Sequence, residues 1–302
     1  MLVGPDRVRV DAPLASMTTF GVGGPADWLV EPTSTEALRA VVRLAAEAGV
    51  PVTVLGGGSN VLVADAGVRG VVVRPRLTEV VQTAPTRVRA EAGVSINGLV
   101  RWLIGRQLRG LESWAGTPGT VGGAIYGNAH YGGHNISEHV TEVLVMSSDG
   151  DCTVVAASEM AFAYDASRLQ STAEVVVWAE FAVAAGVADE LRAVARASLA
   201  HRKRTQPLHL PSAGCVFQNP HPDRDRVPDG IPWSAGALVD RAGLKGSRVG
   251  GAAVSTAHAN FIVTDASATA ADVRQLITQA AAAVSRRFGV DLRQEIVFVG
   301  EW

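Results

Sequence analysis

Three successive glycines, Gly56-Gly57-Gly58, lie between two short apolar segments and are followed directly by Ser59 and Asn60. The flanking segments, Pro51–Leu55 and Val61–Val63, are valine-rich and too short for helices, so they predict strands. A Rossmann fingerprint requires a helix directly after its glycines, and a Walker loop requires Gly-Lys-Ser/Thr; the sequence has neither here. The turn therefore predicts an anion site built from backbone N–H groups, with a plain hairpin connection as the alternative.

A second glycine-rich segment, Ala115–Ala124, reads Ala-Gly-Thr-Pro-Gly-Thr-Val-Gly-Gly-Ala. Pro118 fixes one backbone dihedral, and the glycines around it permit positive φ, which predicts a rigid turn rich in backbone amides. Apolar neighbours such as Trp114 and Ile125 favour burial over a surface loop. Two such loops could hold the two ends of one diphosphate, as in a dinucleotide bound without a Rossmann fold.

Composition narrows the function classes. The chain has 302 residues, of which 47% are apolar and 19% charged, so it can bury a core and is not a disordered chain. The formal net charge of −2 leaves no basic excess for binding nucleic acid. Two cysteines, Cys152 and Cys215, without an export signal or a long apolar run, predict a reduced, cytoplasmic protein that does not span a membrane.

The order of elements predicts three parts. A β-α-β start, with a helix over Ala37–Ala48, comes first. The second part contains a helix over Asn97–Gln107, several strands, and a helix over Val187–His201. After a proline-rich segment, a long helix over Ala270–Phe288 ends at Gly289.

The glycine segments belong to an ordered set of motifs that resembles a known family. The set comprises Thr18–Ala26, Gly56–Asn60, Gly116–Gly123, Thr205–Pro207, Pro211–Pro220, Ala242–Gly246, His258–Val263 and Glu295-Ile296. Together they resemble the UDP-N-acetylenolpyruvoylglucosamine reductases of peptidoglycan synthesis, from about Thr18 to the end of the chain. The length is similar to that of the type II branch.

The resemblance implies an α+β fold: an FAD-binding fold of two subdomains, of the vanillyl-alcohol-oxidase/PCMH type, followed by a smaller α+β substrate domain. The implied boundaries are 1–74 and 75–204 for the FAD-binding subdomains and 205–302 for the substrate domain. The implied activity is reduction of the enolpyruvyl group of UDP-N-acetylglucosamine enolpyruvate to UDP-N-acetylmuramate, with FAD as cofactor and NADPH as reductant. We expect a cytoplasmic protein, favoured as a monomer, that serves cell wall biogenesis, cell shape and cell division.

The chemistry of such a reduction requires a hydride, stabilisation of charge on a carboxylate, and a proton for the neighbouring carbon. The resemblance assigns the proton to Cys215, in the motif Ala-Gly-Cys-Val-Phe, and the essential carboxylate to Glu295. A free cysteine is otherwise most often a small buried apolar residue, and a lone glutamate at a strand start is usually solvated. Cys152 has no such motif and is predicted to be structural.

The family arginine is replaced in this sequence. It normally follows the tyrosine of a Phe-x-Tyr-Arg-x-Ser motif, but Phe162-Ala163-Tyr164 is followed by Asp165. Arg168, three residues on, is the predicted catalytic substitute. Gln218 and Ala257 also stand where the family has lysine, so the electrostatics around the substrate have changed.

The remaining predicted contacts concern cofactor and substrate. The predicted FAD-binding residues are Leu55, Gly56, Gly57, Gly58, Ser59, Asn60, Ala115, Gly116, Thr117, Pro118, Gly119, Thr120, Gly122, Gly123, Asn128 and His130. The predicted substrate-binding residues are Tyr164, Gln218, Asn219 and His258. Closely spaced histidines at 130, 134 and 139 suggest a metal, but glycines interrupt them and no second ligand cluster supports them, so no metal is expected.

Two alternatives stay open from the sequence. The first is a diverged paralogue, an FAD oxidoreductase of the same fold that acts on another small molecule. The second is a non-catalytic protein that retains the fold and binds flavin.

Overall fold

The computed structural model describes residues 3–302, in which contacts group the chain into two compact units. The first unit contains the chain up to Ala12 together with Ala26–Gly57 and Arg69–His201. The second contains Pro13–Pro25, Gly58–Val68 and Arg202–Trp302. The three domains predicted from the sequence stay a prediction.

The elements follow one another along the chain as an α+β arrangement. The helices are α1 (Thr35–Glu47), α2 (Ile96–Gly105), α3 (Val121–Tyr126), α4 (Ala188–Thr205), α5 (Ala235–Arg241) and α6 (Ala270–Phe288). The strands are β1 (Val8–Pro13), β2 (Pro25–Val30), β3 (Val52–Val54), β4 (Val61–Val63), β5 (Val68–Val73), β6 (Val80–Ala84), β7 (Arg87–Glu91), β8 (Leu108–Arg109), β9 (His130–Tyr131), β10 (His134–Asn135), β11 (Val140–Met146), β12 (Cys152–Ala156), β13 (Val175–Ala182), β14 (Ala184–Ala185), β15 (Arg248–Val249), β16 (Ala252–Val254), β17 (Ile262–Thr264) and β18 (Val297–Val299).

Two sheets organise the first unit. One has the strand order β1-β2-β5-β3, and its β3 and β5 are parallel. The other has the order β12-β11-β13-β7-β6, and its strands are antiparallel. Helix α1 is capped by Ser34, whose Oγ accepts from the Ala37 amide at 3.2 Å. Its buried face, with Leu38 and Val42, packs with apolar residues of both sheets, among them Val73 and Val177.

The packing of α2 and α3 places the second glycine segment. Helix α2 buries five apolar residues in a core shared with α3 and the five-stranded sheet: Ile96, Leu99, Val100, Leu103 and Ile104. The sequence analysis did not predict α3, because Gly122 and Gly123 are poor helix formers. Thr120 caps this helix through its side chain, and a Cβ at Gly122 would lie 3.1 Å from the Cβ of Ala92. The glycine that weakens the helix pattern is therefore the residue that lets the helix pack.

The second unit combines a small sheet with the longest helix. Strands β15, β16 and β17 form an antiparallel sheet, and β18 pairs in parallel with β4. Helix α6 begins at the Thr269 cap and ends at Gly289, which has a φ of 68°. Both carboxylate oxygens of Asp65 accept from first-turn amides of α6, those of Ala270 and Ala271, each at 2.8 Å.

Candidate functional site

The two glycine segments touch each other within the first unit. A Cβ at Gly56 would lie 2.7 Å from Oγ1 of Thr120, and one at Gly57 would lie 2.7 Å from Cα of Gly119. Side chains larger than hydrogen would push the two loops apart, so these positions require glycine for close approach. The sequence predicted both loops but could not show that they meet.

The side chain of Asn97 fixes the second loop. Its Oδ1 accepts from the Gly116 amide at 2.6 Å, and its Nδ2 donates to the Thr117 carbonyl at 3.2 Å. The Ile96 amide also donates to the Gly119 carbonyl at 3.1 Å. Sequence analysis missed Asn97, although an amide side chain just after the Ser95 cap of α2 is a signal for such a role.

A smaller set of amides than predicted remains available to a ligand. The Gly116 amide is bound by Asn97, and the Gly122 amide donates to the Ala92 carbonyl at 2.9 Å. In the part of the chain that the structure describes, the amides of Gly56, Gly57, Gly119 and Thr120 in the first unit donate no hydrogen bond, and neither do those of Gly58, Ser59 and Asn60 in the second. Adjacent amides without acceptors form the type of concave turn that binds phosphate oxygens.

Asp165 lies against His130 within the first unit. The Asp165 Oδ1 lies 2.9 Å from Nδ1 of His130, and the carboxylate side chain is only 9% exposed. The ring of His130 also packs against Tyr164, with ring centroids 4.9 Å apart. The second oxygen, Oδ2, is buried and has no hydrogen-bond partner within residues 3–302. The position where the resemblance implies an arginine therefore holds a histidine–carboxylate pair.

Arg168, the predicted substitute for that arginine, is bound to another carboxylate. Its Nε lies 2.9 Å from one oxygen of Glu174, and its Nη2 lies 2.7 Å from the other. Such a bidentate pair satisfies the guanidinium fork. The catalytic role of Arg168 stays a prediction, and this ion pair argues against it.

Cys215 and Glu295 lie on neighbouring segments of the second unit. Cys215 forms an antiparallel bridge with Phe261. The Val216 amide donates to the Asn260 carbonyl, and the Glu295 amide donates to the Val216 carbonyl, both at 2.8 Å. The backbone therefore brings the predicted proton donor and the predicted carboxylate onto adjacent, hydrogen-bonded segments, although eighty positions separate them in the sequence.

Asn260 fixes the segment that carries Cys215. Its Oδ1 accepts from the Phe217 amide at 2.9 Å, and its Nδ2 donates to the Phe217 carbonyl at 2.7 Å. The residue is 3% exposed, so both bonds are shielded from water. Sequence analysis gave Asn260 no role of its own. An asparagine among apolar residues of a buried segment is the signal that could have found it.

Asn60 is hydrogen-bonded to the segment that carries Glu295. Its side-chain amide donates to the Glu295 carbonyl at 3.1 Å, and the Val297 amide donates to the Asn60 carbonyl at 2.9 Å. Gly58, in the same turn, accepts from the Thr19 amide at 2.9 Å. These bonds give Asn60 a positioning role that the sequence did not suggest. The cofactor contacts predicted for Gly58, Ser59 and Asn60 stay predictions.

The predicted substrate residues of the second unit are held mainly by backbone contacts. The Gln218 amide donates to the Arg293 carbonyl at 2.9 Å, and Oδ1 of Asn219 accepts from the Ala235 amide at 3.0 Å, where α5 begins. His258 accepts the Asn260 amide at Nδ1, 3.2 Å away. An N–H can only donate, so a neutral His258 carries its proton on Nε2. Contact of these side chains with substrate stays a prediction.

Two half-buried histidines make stability depend on pH. Burial lowers the pKa of His139, and burial together with the charge of Lys245 lowers the pKa of His258. As pH falls below the ordinary histidine pKa of about 6.5, the unfolded chain gains protons before the folded chain does. These residues therefore cost no stability above about pH 7.5 and lower the free energy of unfolding as pH falls to about 5.5. We expect the urea midpoint of the FAD-loaded protein to be lower at the acidic pH.

A variant isolates the contribution of the two histidines. The double substitution His139→Asn and His258→Asn removes both titrating rings, so the urea midpoint should change less between the two pH values than in the wild type. An equal change in both proteins would show that other groups cause the pH dependence.

No helix among residues 3–302 is both long enough and apolar enough to cross a membrane.

Two family models match separate parts of the chain. An FAD binding domain matches residues 26–157, and the C-terminal domain of UDP-N-acetylenolpyruvoylglucosamine reductase matches residues 206–299. The first match contains the touching glycine loops and the second contains Cys215 and Glu295.

Whole-chain relatives agree with these matches. UDP-N-acetylenolpyruvoylglucosamine reductase of Synechococcus sp. (strain RCC307) is 40% identical over 97% of this chain and 94% of its own length. UDP-N-acetylenolpyruvoylglucosamine reductase 2 of Symbiobacterium thermophilum is 41% identical over 98% of this chain and 93% of its own. The crystal structure of UDP-N-acetylenolpyruvylglucosamine reductase from Thermus caldophilus matches with a TM-score of 0.81 at 32% identity, over 97% of this chain and 99% of that chain.

These likenesses extend over nearly the whole length of both proteins in each comparison. They confirm the resemblance drawn from the motifs and the predicted α+β fold, in which an FAD binding domain precedes the C-terminal domain of the reductases. The chain belongs to the UDP-N-acetylenolpyruvoylglucosamine reductase family.

Proposed function

We propose that this protein is an FAD-dependent oxidoreductase that uses NADPH to reduce the enolpyruvyl group of UDP-N-acetylglucosamine enolpyruvate, giving UDP-N-acetylmuramate. The observation that carries the proposal is the placement of Cys215 and Glu295 on adjacent segments, joined by the 2.8 Å bond from the Glu295 amide to Val216. A thiol and a carboxylate so placed suit protonation of the carbon beside the one that has just received a hydride.

The first unit fits FAD. Gly56 and Gly57 approach Thr120 and Gly119 so closely that no side chain fits between the loops, and the four amides there lack acceptors within residues 3–302. These amides would bind the diphosphate of FAD. When bound, FAD supplies the hydride that no side chain can supply.

The residues of the chain supply the proton and hold the reacting groups in position. The Cys215 thiol can release its proton to the carbon beside the reduced one. Asn260 and Asn60 keep the segments of Cys215 and Glu295 in register through side-chain bonds to the backbone. Rigid support of this kind lowers the cost of orienting the reacting groups.

The proposal also includes the cellular process and the compartment in which the enzyme acts. Its UDP-sugar product is a peptidoglycan precursor, so we place the protein in cell wall biogenesis and, through it, in cell shape and division. Two free cysteines suit a reducing cytoplasm, and we expect a monomer.

Half-reactions test this function. The purified protein should be yellow, NADPH should bleach the flavin absorbance without oxygen, and the enolpyruvyl UDP-sugar should restore it. A flavin that NADPH bleaches but the sugar fails to reoxidise would favour the paralogue with another substrate. Protein without flavin after reconstitution would contradict the proposal altogether.

Replacing Asp165 by arginine tests whether this chain still needs the family residue. We expect Asp165→Arg to lower turnover at least about 10-fold. The substitution removes the contact of Asp165 with His130 and places a guanidinium in a buried site shaped for a carboxylate. Steady-state NADPH oxidation measures the effect, with Asp151→Arg as a control at an 83% exposed side chain. Higher activity in Asp165→Arg would show that the wild-type site has diverged toward another substrate.

A further inference from the structure

Three arginines of the first unit surround a single carboxylate, that of Glu31. Nη2 of Arg9 lies 3.1 Å from Oε2 of Glu31. Nη1 of Arg74 and Nε of Arg76 lie 3.8 and 3.9 Å from the other oxygen, Oε1. In the described part of the chain, no second carboxylate lies within 4 Å of these three guanidiniums, which we call the arginine cluster. Three positive charges therefore face one negative charge, which leaves two positive charges without an anion.

The four-stranded sheet of the first unit places these residues at the ends of three neighbouring strands. Arg9 lies in β1, Glu31 directly follows β2, and Arg74 directly follows β5. The strands are adjacent, in the order β1-β2-β5. Backbone bonds of 2.9 and 2.8 Å join the amides of Arg74 and Arg76 to carbonyls at the end of β2. The fold therefore fixes the backbone from which the guanidiniums converge.

Most donors of the arginine cluster are not used within the protein. A guanidinium has five N–H groups, and that of Arg9 donates one hydrogen bond to Glu31, at 3.1 Å. The separations of 3.8 and 3.9 Å from Arg74 and Arg76 to Glu31 are too long for a hydrogen bond. Among residues 3–302, these two guanidiniums donate to no other acceptor. Water or a ligand has to supply the acceptors.

The environment of Arg74 disfavours its positive charge. Its side chain is only 23% exposed. Burial lowers the pKa of Arg74, and the charge of Arg76 lowers it further, by more than Glu31 raises it. Desolvation and like-charge repulsion both act against the charged form of a guanidinium. A second anion beside Arg74 and Arg76 would offset this repulsion, as Glu31 does in part.

We propose that Arg9, Arg74 and Arg76 form a binding site for a phosphoryl group, supplied either by free phosphate or by a nucleotide. A phosphoryl group carries nearly two negative charges at neutral pH, which matches the excess of the arginine cluster. Its oxygens accept the paired N–H groups of a guanidinium fork. Glu31 holds the guanidiniums close to one point, so a group of this size can contact more than one of them. The proposal does not depend on the proposed function.

Nitrogen-15 NMR of the FAD-loaded protein at pH 7 observes the site directly. The Nε–H signals of the arginine cluster are assigned by their loss in Arg9→Gln, Arg74→Gln and Arg76→Gln. Inorganic phosphate, added at constant ionic strength, should shift the signals of Arg74 and Arg76 along a saturable curve with a Kd below about 5 mM. The exposed Arg192, paired with Asp189, is the control, and its signal should not shift.

Removal of one charge should weaken binding. We expect Arg76→Gln to raise the Kd for phosphate, measured on the Arg74 signal, about 10-fold or more, because a charge-assisted bond is lost. Arg192→Gln is the matched control, since the side chains of Arg76 and Arg192 are 46% and 52% exposed, and it should leave the Kd unchanged. Circular dichroism checks that each variant is folded. An unsaturable shift in the wild type, or an equal shift at Arg192, would overturn the proposal.

ADP distinguishes the two sources of the phosphoryl group. A Kd for ADP at least about 10-fold below that for phosphate, measured on the same arginine signals, would support a nucleotide as the ligand. Equal values would support the free ion. Adenosine, which has no phosphoryl group, should shift neither signal. Saturable shifts of Arg74 and Arg76 with adenosine would contradict a phosphoryl site.

Discussion

Replacing Cys215 by alanine should lower the turnover number for enolpyruvyl reduction roughly 10²-fold or more, the usual effect of removing a proton donor. The thiol is the residue that we propose to protonate the carbon beside the hydride acceptor. The Asn260 side chain fixes the segment of Cys215 through bonds of 2.9 and 2.7 Å to the backbone of Phe217, and alanine at position 215 leaves these bonds in place. FAD binding and flavin reduction by NADPH should therefore persist.

Two further substitutions sharpen that result. Cys215→Ser retains a donor, although a less acidic one, and should keep more activity than Cys215→Ala. Cys152→Ala changes the other cysteine, which lies in β12 and accepts from Arg39 at 3.4 Å, and should leave turnover unchanged. Equal turnover in Cys215→Ala and the wild type would make Cys215 a packing residue.

Replacing Gly57 by alanine should abolish retention of FAD through gel filtration. The added Cβ would lie 2.7 Å from Cα of Gly119. A backbone atom cannot relieve this clash by rotating away, as the end of a flexible side chain can, so the two loops must separate. Each charge-assisted bond from an amide to the diphosphate contributes about 1.5–3 kcal/mol, so losing one or two weakens binding roughly 10-fold to 10⁴-fold. Titration of the apoprotein with FAD measures the Kd.

Gly105→Ala is the matched control, because a Cβ at Gly105 in α2 meets nothing within 4 Å. It should bind FAD like the wild type. If Gly57→Ala also binds FAD with the wild-type Kd, the diphosphate is not bound by the amides of these loops.

The sequence predicted elements whose signals are local. Helix α6 has a capping threonine at 269, an apolar face and Gly289 at its end, and its observed bounds equal the predicted ones. The glycine loops were equally visible because their composition is unusual. Helix α3 was missed because its two glycines serve packing against Ala92, which is distant in the sequence.

Local sequence patterns could not predict the contacts between residues that are distant in the sequence. The pairing of β4 with β18, and the bonds of Asn97, Asn260 and Asn60, depend on which segments the fold brings together. Polar residues of this kind look like ordinary loop residues in a single sequence. The ion pair of Arg168 with Glu174 was likewise invisible, so spacing alone made Arg168 look available.

Coupled measurement of NADPH consumption and product formation tests the central claim most directly. The purified holoenzyme is incubated with NADPH and UDP-N-acetylglucosamine enolpyruvate, and both NADPH absorbance and UDP-N-acetylmuramate, identified by mass spectrometry, are followed. The account predicts that one NADPH disappears for each UDP-N-acetylmuramate formed, and that Cys215→Ala slows both together. NADPH oxidation that is independent of the sugar, or that yields no UDP-N-acetylmuramate, would contradict it.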